Sequence, residues 1–190
     1  MLWSPATGES TDGGDPRWRG KTSGDGKEAQ EGMEPGWQRA AVVRDVACRF
    51  RSALERGGLC LPILARFPAG ACGAASELLG QYLIDSGLGH WRYRMGFQCD
   101  SLAAHAWLER DGLTLDITAD QFRDVAEPVV VTAIPAWHRA NFIMSGGGHT
   151  ASLDSYQSCD AFTQVAADYR VLKRRADASA PGASRPGAQR

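Results

Sequence analysis

Little in this sequence is extreme, and each missing feature removes a class of function. No apolar run approaches the eighteen or so residues that a membrane-spanning helix needs. The first residues, MLWSPATGESTDGGDP, carry neither the basic start nor the apolar centre of a secretory signal. Basic and acidic residues nearly cancel, 21 against 22, so the chain lacks the cationic surplus of a nucleic-acid binder. Its one basic run, LKRRA near Lys173, suits a helix C-terminus, where cations complement the dipole. Five cysteines (Cys48, Cys60, Cys72, Cys99, Cys159) are an odd count without framework spacing, which speaks against a disulfide scaffold. Free thiols suit a reducing compartment, so a cytoplasmic location is expected, with an effector exported without a cleavable signal as the alternative. The triple glycine before His149 has no Lys-Ser/Thr after it and so is no P-loop.

What is present is one domain's worth of pattern. Residues 1–37 and 175–190 are rich in small and polar residues and have no apolar period; both are expected to be disordered, because they cannot bury enough surface to offset ordering entropy. Met33 is expected as the true start, the upstream codons being a mis-called extension. The folded unit is expected over 38–174. Within it, Val42, Val43, Val46, Phe50 and Leu54 recur at helical spacing before Gly57-Gly58, and Cys48 falls on that apolar face. LCLPILARFP is a connector punctuated by prolines. A second helix is expected from Cys72 to about Asp85, and a last one from Asp160 to Arg174. Between them the period changes to two. HWRYRMGF, HAWLE, LTLDI and VVVTAI read as strands, with Trp91 and Trp107 packing the sheet. The expected class is α+β, helices first and a mostly antiparallel sheet after them.

Three segments carry chemistry. Cys72 opens the second helix among small residues, in FPAGACGAASELLGQYL. A thiol attacks only as thiolate, and a helix N-terminus or a neighbouring imidazole lowers its pKa from about 8.5. His105, in HAW, is the candidate imidazole. Asp116, in LDIT, is the candidate carboxylate that fixes the tautomer, as the third member of a triad does. The hairpin geometry can be tested in advance. If Asp111-Gly112 is a two-residue type I′ loop, His105 pairs with Thr118 and Trp107 with Asp116, so all four share a face. A three-residue loop with a bulge would instead put His105 and Asp116 on opposite faces. Asp116 has a plainer reading too, as the cap of a turn with Thr118.

His90, His138 and His149 are expected on the surface or in loops. The glycine loop before His149 could act as a lid. Cys48, Cys60, Cys99 and Cys159 are expected to be structural. A zinc site from Cys72, Cys99 and His105 lacks the usual ligand spacing.

From Leu61 to Phe122, the residues FPAGACGAASELLGQYL, SLAAHAWLERDG and LTLDITADQF resemble the transglutaminase-like branch of the papain-like cysteine superfamily. The resemblance implies Cys72 as nucleophile, His105 as base and Asp116 as orienting carboxylate. It also implies a thiol-dependent acyl transfer on a peptide or protein carboxamide, with peptidase, deamidase and transglutaminase chemistries all open. No metal or organic cofactor is implied, and the expected partner is a peptide or protein substrate rather than nucleic acid or membrane. No Gln stands just before Cys72, so the oxyanion would be held by backbone N–H groups, that of Cys72 among them, or by a side chain such as Gln121. The alternatives are a non-catalytic peptide-binding module on the same fold and a small-molecule N-acyltransferase.

Overall fold

In the computed structural model, residues 36–98, 101 and 103–181 are described. The expected disordered segments lie mostly outside these residues, as do Met33 and Cys99. Helix α1 runs Gly36–Glu55 and α2 runs Cys72–Asp85. The sheet follows, with β1 Arg92–Gln98, β2 Ala104–Arg110, β3 Leu113–Asp116 and β4 Val130–Thr132. A short helix α3, Ala136–Asn141, leads to β5, Phe142–Met144, and β6, His149–Thr150. Helix α4 closes the domain as Phe162–Asp177. The class is α+β, with every described strand pair antiparallel. No helix of the described residues is long and apolar enough to cross a membrane.

The strand order is β4-β3-β2-β1-β5, and β6 joins β1 beside β5. The β2–β3 hairpin follows the two-residue reading. Leu108 pairs with Leu115, Glu109 with Thr114 and Arg110 with Leu113. Its turn residues Asp111 and Gly112 both have positive φ, 47° and 77°, the backbone a type I′ turn needs. The β2–β3 ladder ends at Leu108–Leu115, however, so neither expected pair, Trp107–Asp116 or His105–Thr118, belongs to it. β3 stops at Asp116, which pairs with Val130 of β4, and the chain bends away into a 3₁₀ turn, Ala119–Gln121.

Alternation then sorts the side chains. Leu108 and Leu115 enter a core with Phe50 and Leu54 of α1, Leu78, Leu79 and Leu83 of α2, and Val165 and Leu172 of α4. His105, Trp107 and Asp116 belong to the opposite set, which Phe122, Phe142 and the Trp137-His138 pair of α3 cover. Trp91 and Trp107 are both buried, as packing residues of the sheet should be.

Several expectations need correction. Val42 and Cys48 are exposed. The buried face of α1 is Val43, Val46, Ala47, Phe50 and Leu54, and Cys48 lies about 100° round the helix from Ala47. Cys60 and Cys159 are exposed too, so neither is a packed structural thiol. The VVVTAI strand contracts to three residues, leaving Ile134 77% exposed. The LKRRA run does end a helix, and Arg175 there also donates to the Ala53 and Gly57 carbonyls at the end of α1.

Candidate active site

Asp116 is the centre of the site, and its two oxygens do different work. Oδ1 accepts the Thr118 N–H at 2.8 Å and the Thr118 hydroxyl at 3.1 Å. This is the turn cap that the plainer reading anticipates. Oδ2 lies 2.6 Å from His105 Nε2 and 2.9 Å from His138 Nε2. All three side chains are buried. The cap fixes the carboxylate in place, and the carboxylate fixes both imidazoles.

His138 overturns the expectation that it is a loop or surface residue, since it is 2% exposed and faces the carboxylate. His149 is exposed but paired. It lies opposite Tyr93 in the β1–β6 ladder, and its Nε2 sits 2.5 Å from Glu77 Oε1. That strand pairing anchors the chain directly after the glycine loop.

In its neutral form, with Nε2–H turned to Asp116, His105 presents Nδ1 as an acceptor; as imidazolium it donates from both nitrogens. Gln121 Nε2 is 3.3 Å from Nδ1. The Gln121 amide is oriented by two further bonds: Oε1 accepts the Gly70 N–H at 3.1 Å and Nε2 donates to the Thr118 carbonyl at 2.9 Å. Gln121 thus ties the loop preceding Cys72 to the segment following Asp116.

Cys72 is the first residue of α2 and half-buried. Burial pushes its thiol up, but the hydrogen bond and charge of His105 oppose this, as do the backbone N–H groups of Ala106 and Gly73. The balance holds the thiol below its ordinary value. His105 responds in the opposite sense. Burial disfavours its imidazolium, yet bonding to Asp116 and Cys72 raises it to about 9. Burial likewise pushes Asp116 up, but the two imidazoles hold it well below the usual carboxylate range. The shifts run in alternating senses along one line of side chains, Cys72 down, His105 up and Asp116 down, as neighbouring acids and bases that favour each other's charged forms do.

The imidazole is walled by rings, which lowers the local dielectric and strengthens these interactions. Phe122 meets it edge-on at 5.0 Å, Phe142 lies at 5.3 Å and Trp107 at 5.8 Å. A buried cation ties this wall to α1. Arg51, 5% exposed, forms a fork on Asp120 at 2.7 Å and donates to the Ile117 and Pro128 carbonyls. Arg51 therefore holds both flanks of the turn that carries Thr118 and Gln121. Sequence patterning gives Arg51 no such role, because an Arg on a surface helix ordinarily faces water.

His105, Asp116 and His138 also present ligand atoms within 4.8 Å of one another, a donor set that suits a divalent cation. Tetrahedral zinc with bonds of about 2.0 Å separates its ligand atoms by roughly 3.3 Å, whereas the carboxylate oxygen here is at hydrogen-bond distance from each nitrogen. Cys72 stands outside this cluster. The zinc set of Cys72, Cys99 and His105 includes a residue outside those described. A broad cleft of about 710 Å³, lined by Arg92, Glu109, Arg110 and Arg139 among others, contains none of the three candidate residues.

No protein-family model matches the chain, and no curated protein and no solved structure matches it.

Proposed function

We propose that the chain is a thiol-dependent acyl-transfer enzyme of papain/transglutaminase-like architecture, with Cys72 as nucleophile, His105 as acid–base and Asp116 as orienting carboxylate. The observation that carries this reading is a cysteine at a helix start beside an imidazole whose far nitrogen is held at 2.6 Å on a buried carboxylate. A purely structural cysteine has no need of such a partner.

The chemistry follows from those positions. His105 Nδ1 takes the Cys72 proton, and the thiolate adds to the carbonyl carbon of a peptide or side-chain carboxamide. The oxyanion is met by the Cys72 N–H, which as the first helical donor has no intrahelical acceptor, and by the Gln121 N–H that turns away from His105 Nδ1 once that nitrogen carries the Cys72 proton. As the tetrahedral centre collapses, the C–N bond breaks and the His105 imidazolium gives its proton to the departing ammonia or amine. Water, or a second amine, then loses a proton to His105 and attacks the thioester, and the C–S bond breaks to restore the thiol. Asp116 keeps its charge throughout and stabilises the imidazolium. Hydrolysis gives peptidase or deamidase action; capture by an amine gives transamidation.

The reading is tested with p-nitrophenyl acetate. A burst of p-nitrophenol and an acetyl adduct mapped to Cys72, both lost in Cys72→Ala, are expected. Absence of adduct and burst from the folded protein would leave a non-catalytic peptide-binding domain.

A further inference from the structure

One residue beyond Cys72, the helix surface turns into a second constellation. Gly73 and Glu77, one turn apart on α2, line a cleft of about 510 Å³ whose apolar walls are Leu61, Ile63, Tyr93 and Tyr156. Gly73 leaves the phenol room. A Cβ at this position would lie 3.3 Å from the Tyr93 hydroxyl, so the phenol sits over the start of the helix, beside the nucleophile. The walls are independently fixed. Asp168 is buried and accepts the Cys60 and Leu61 N–H groups at 2.8 Å each, and the Tyr93 ring stacks on His149 at 4.7 Å.

Glu77 is 6% exposed, and its carboxylate already accepts from His149 and from the Ser152 N–H. Both oxygens are thus engaged within the protein, Oε1 by His149 and Oε2 by Ser152, so the carboxylate is not held free for a ligand's charge. Ile63 is 51% exposed at the rim and Tyr156 half-buried, so apolar surface remains to be covered. Burial and the charges of Cys72 and Glu77 raise the Tyr93 phenol to about 12, so it stays a hydrogen-bond donor. Apolar walls with a few placed polar groups are the usual make-up of a specificity pocket.

We propose that this cleft binds an uncharged apolar side chain, aliphatic or aromatic, of the substrate residue next to the carbonyl that Cys72 attacks, with the Tyr93 hydroxyl donating to a substrate peptide carbonyl. The proposal rests on Cys72 being the nucleophile and adds the class of substrate to that reading. An anionic side chain is disfavoured by the Glu77 carboxylate that lines the cleft. Each methylene that enters the cleft raises capture about fourfold.

The test uses peptidyl acyloxymethyl ketones that differ only in the residue beside the ketone: Gly, Leu, Phe, Lys or Asp. Labelling of Cys72 in the full chain is followed by mass spectrometry, with iodoacetamide as a reagent small enough not to need the cleft. Leu and Phe probes are expected to label about tenfold or more faster than Gly, with Asp slowest. In Ala161→Trp, which fills the cleft from the start of α4, and in Ile63→Asp at its exposed rim, the Leu-to-Gly ratio should fall toward one after normalisation to each variant's own iodoacetamide rate. Equal rates across the series, or Lys fastest, with rapid iodoacetamide labelling of Cys72, would overturn the cleft proposal and leave the nucleophile standing. Slow iodoacetamide labelling of Cys72 in the folded protein would overturn both.

Discussion

His105 and Asp116 meet through a 2.6 Å contact between Nε2 and Oδ2, and neither side chain reaches water. The hairpin register puts them on one face, and the Thr118 cap holds the carboxylate where the imidazole can find it. Asp116→Asn preserves shape but cannot serve both sides. If the amide oxygen faces the imidazoles, the amide nitrogen confronts the Thr118 N–H; if it turns over, His105 loses its acceptor. We expect a stability loss of about 1–3 kcal/mol in denaturant unfolding, together with a fall in the Cys72 alkylation rate near neutral pH, because the thiol loses the imidazolium that favours its thiolate.

Stability should depend on pH at two ends. The pKa of His105 is raised in the folded state to about 9, so its contribution is complete below the unfolded value of about 6.5 and is lost as pH rises through about 9. That of Asp116 is depressed, so its contribution is present above about 3.9 and is lost as pH falls through the lower folded value. NMR titration of the His105 ring protons should give a midpoint near 9. A midpoint near that of a free imidazole would contradict the coupling.

His138 shares the Asp116 oxygen with His105. Its removal in His138→Phe leaves the carboxylate with one imidazole, so the charge bears on His105 undivided. The His105 titration should move upward, while unfolding loses about 1–3 kcal/mol. An unmoved titration would make His138 a packing residue alone.

Arg51→Ala should cost about 3 kcal/mol or more, because it strips Asp120 and two backbone carbonyls of their shared donor inside the fold. Since Arg51 holds the turn bearing Gln121, the variant's iodoacetamide rate at Cys72 should fall as well. Thermal unfolding and the alkylation rate, measured on the same preparation, check the two effects separately.

The parts of this arrangement that were legible in the sequence are the local ones. Asp111-Gly112 between two alternating runs specifies a hairpin and its register, and that register puts His105 and Asp116 on one face. The small residues around Cys72 mark a helix start. His138 and Arg51 escape such reading because each acts through a contact far along the chain, from elements whose own residues carry no signal of it. α3 has six residues, too few to display a period, and β5 and β6 have three and two. Their pairing is decided by β1, which offers one long edge to both. Cys48 is misplaced because adjacent helix positions differ by about 100°, so one step beyond Ala47 leaves the core.

The most direct measurement is competitive alkylation at about pH 6, well below the ordinary thiol pKa of about 8.5. The folded protein is treated with limiting iodoacetamide and the modified cysteines are mapped by peptide mass spectrometry. Cys48, Cys60 and Cys159 are more exposed than Cys72, so access alone would favour them. A thiolate held by His105 predicts that Cys72 is modified first, and that a folded His105→Ala variant loses this advantage. Modification of Cys72 no faster than the three exposed cysteines would contradict its role as the nucleophile.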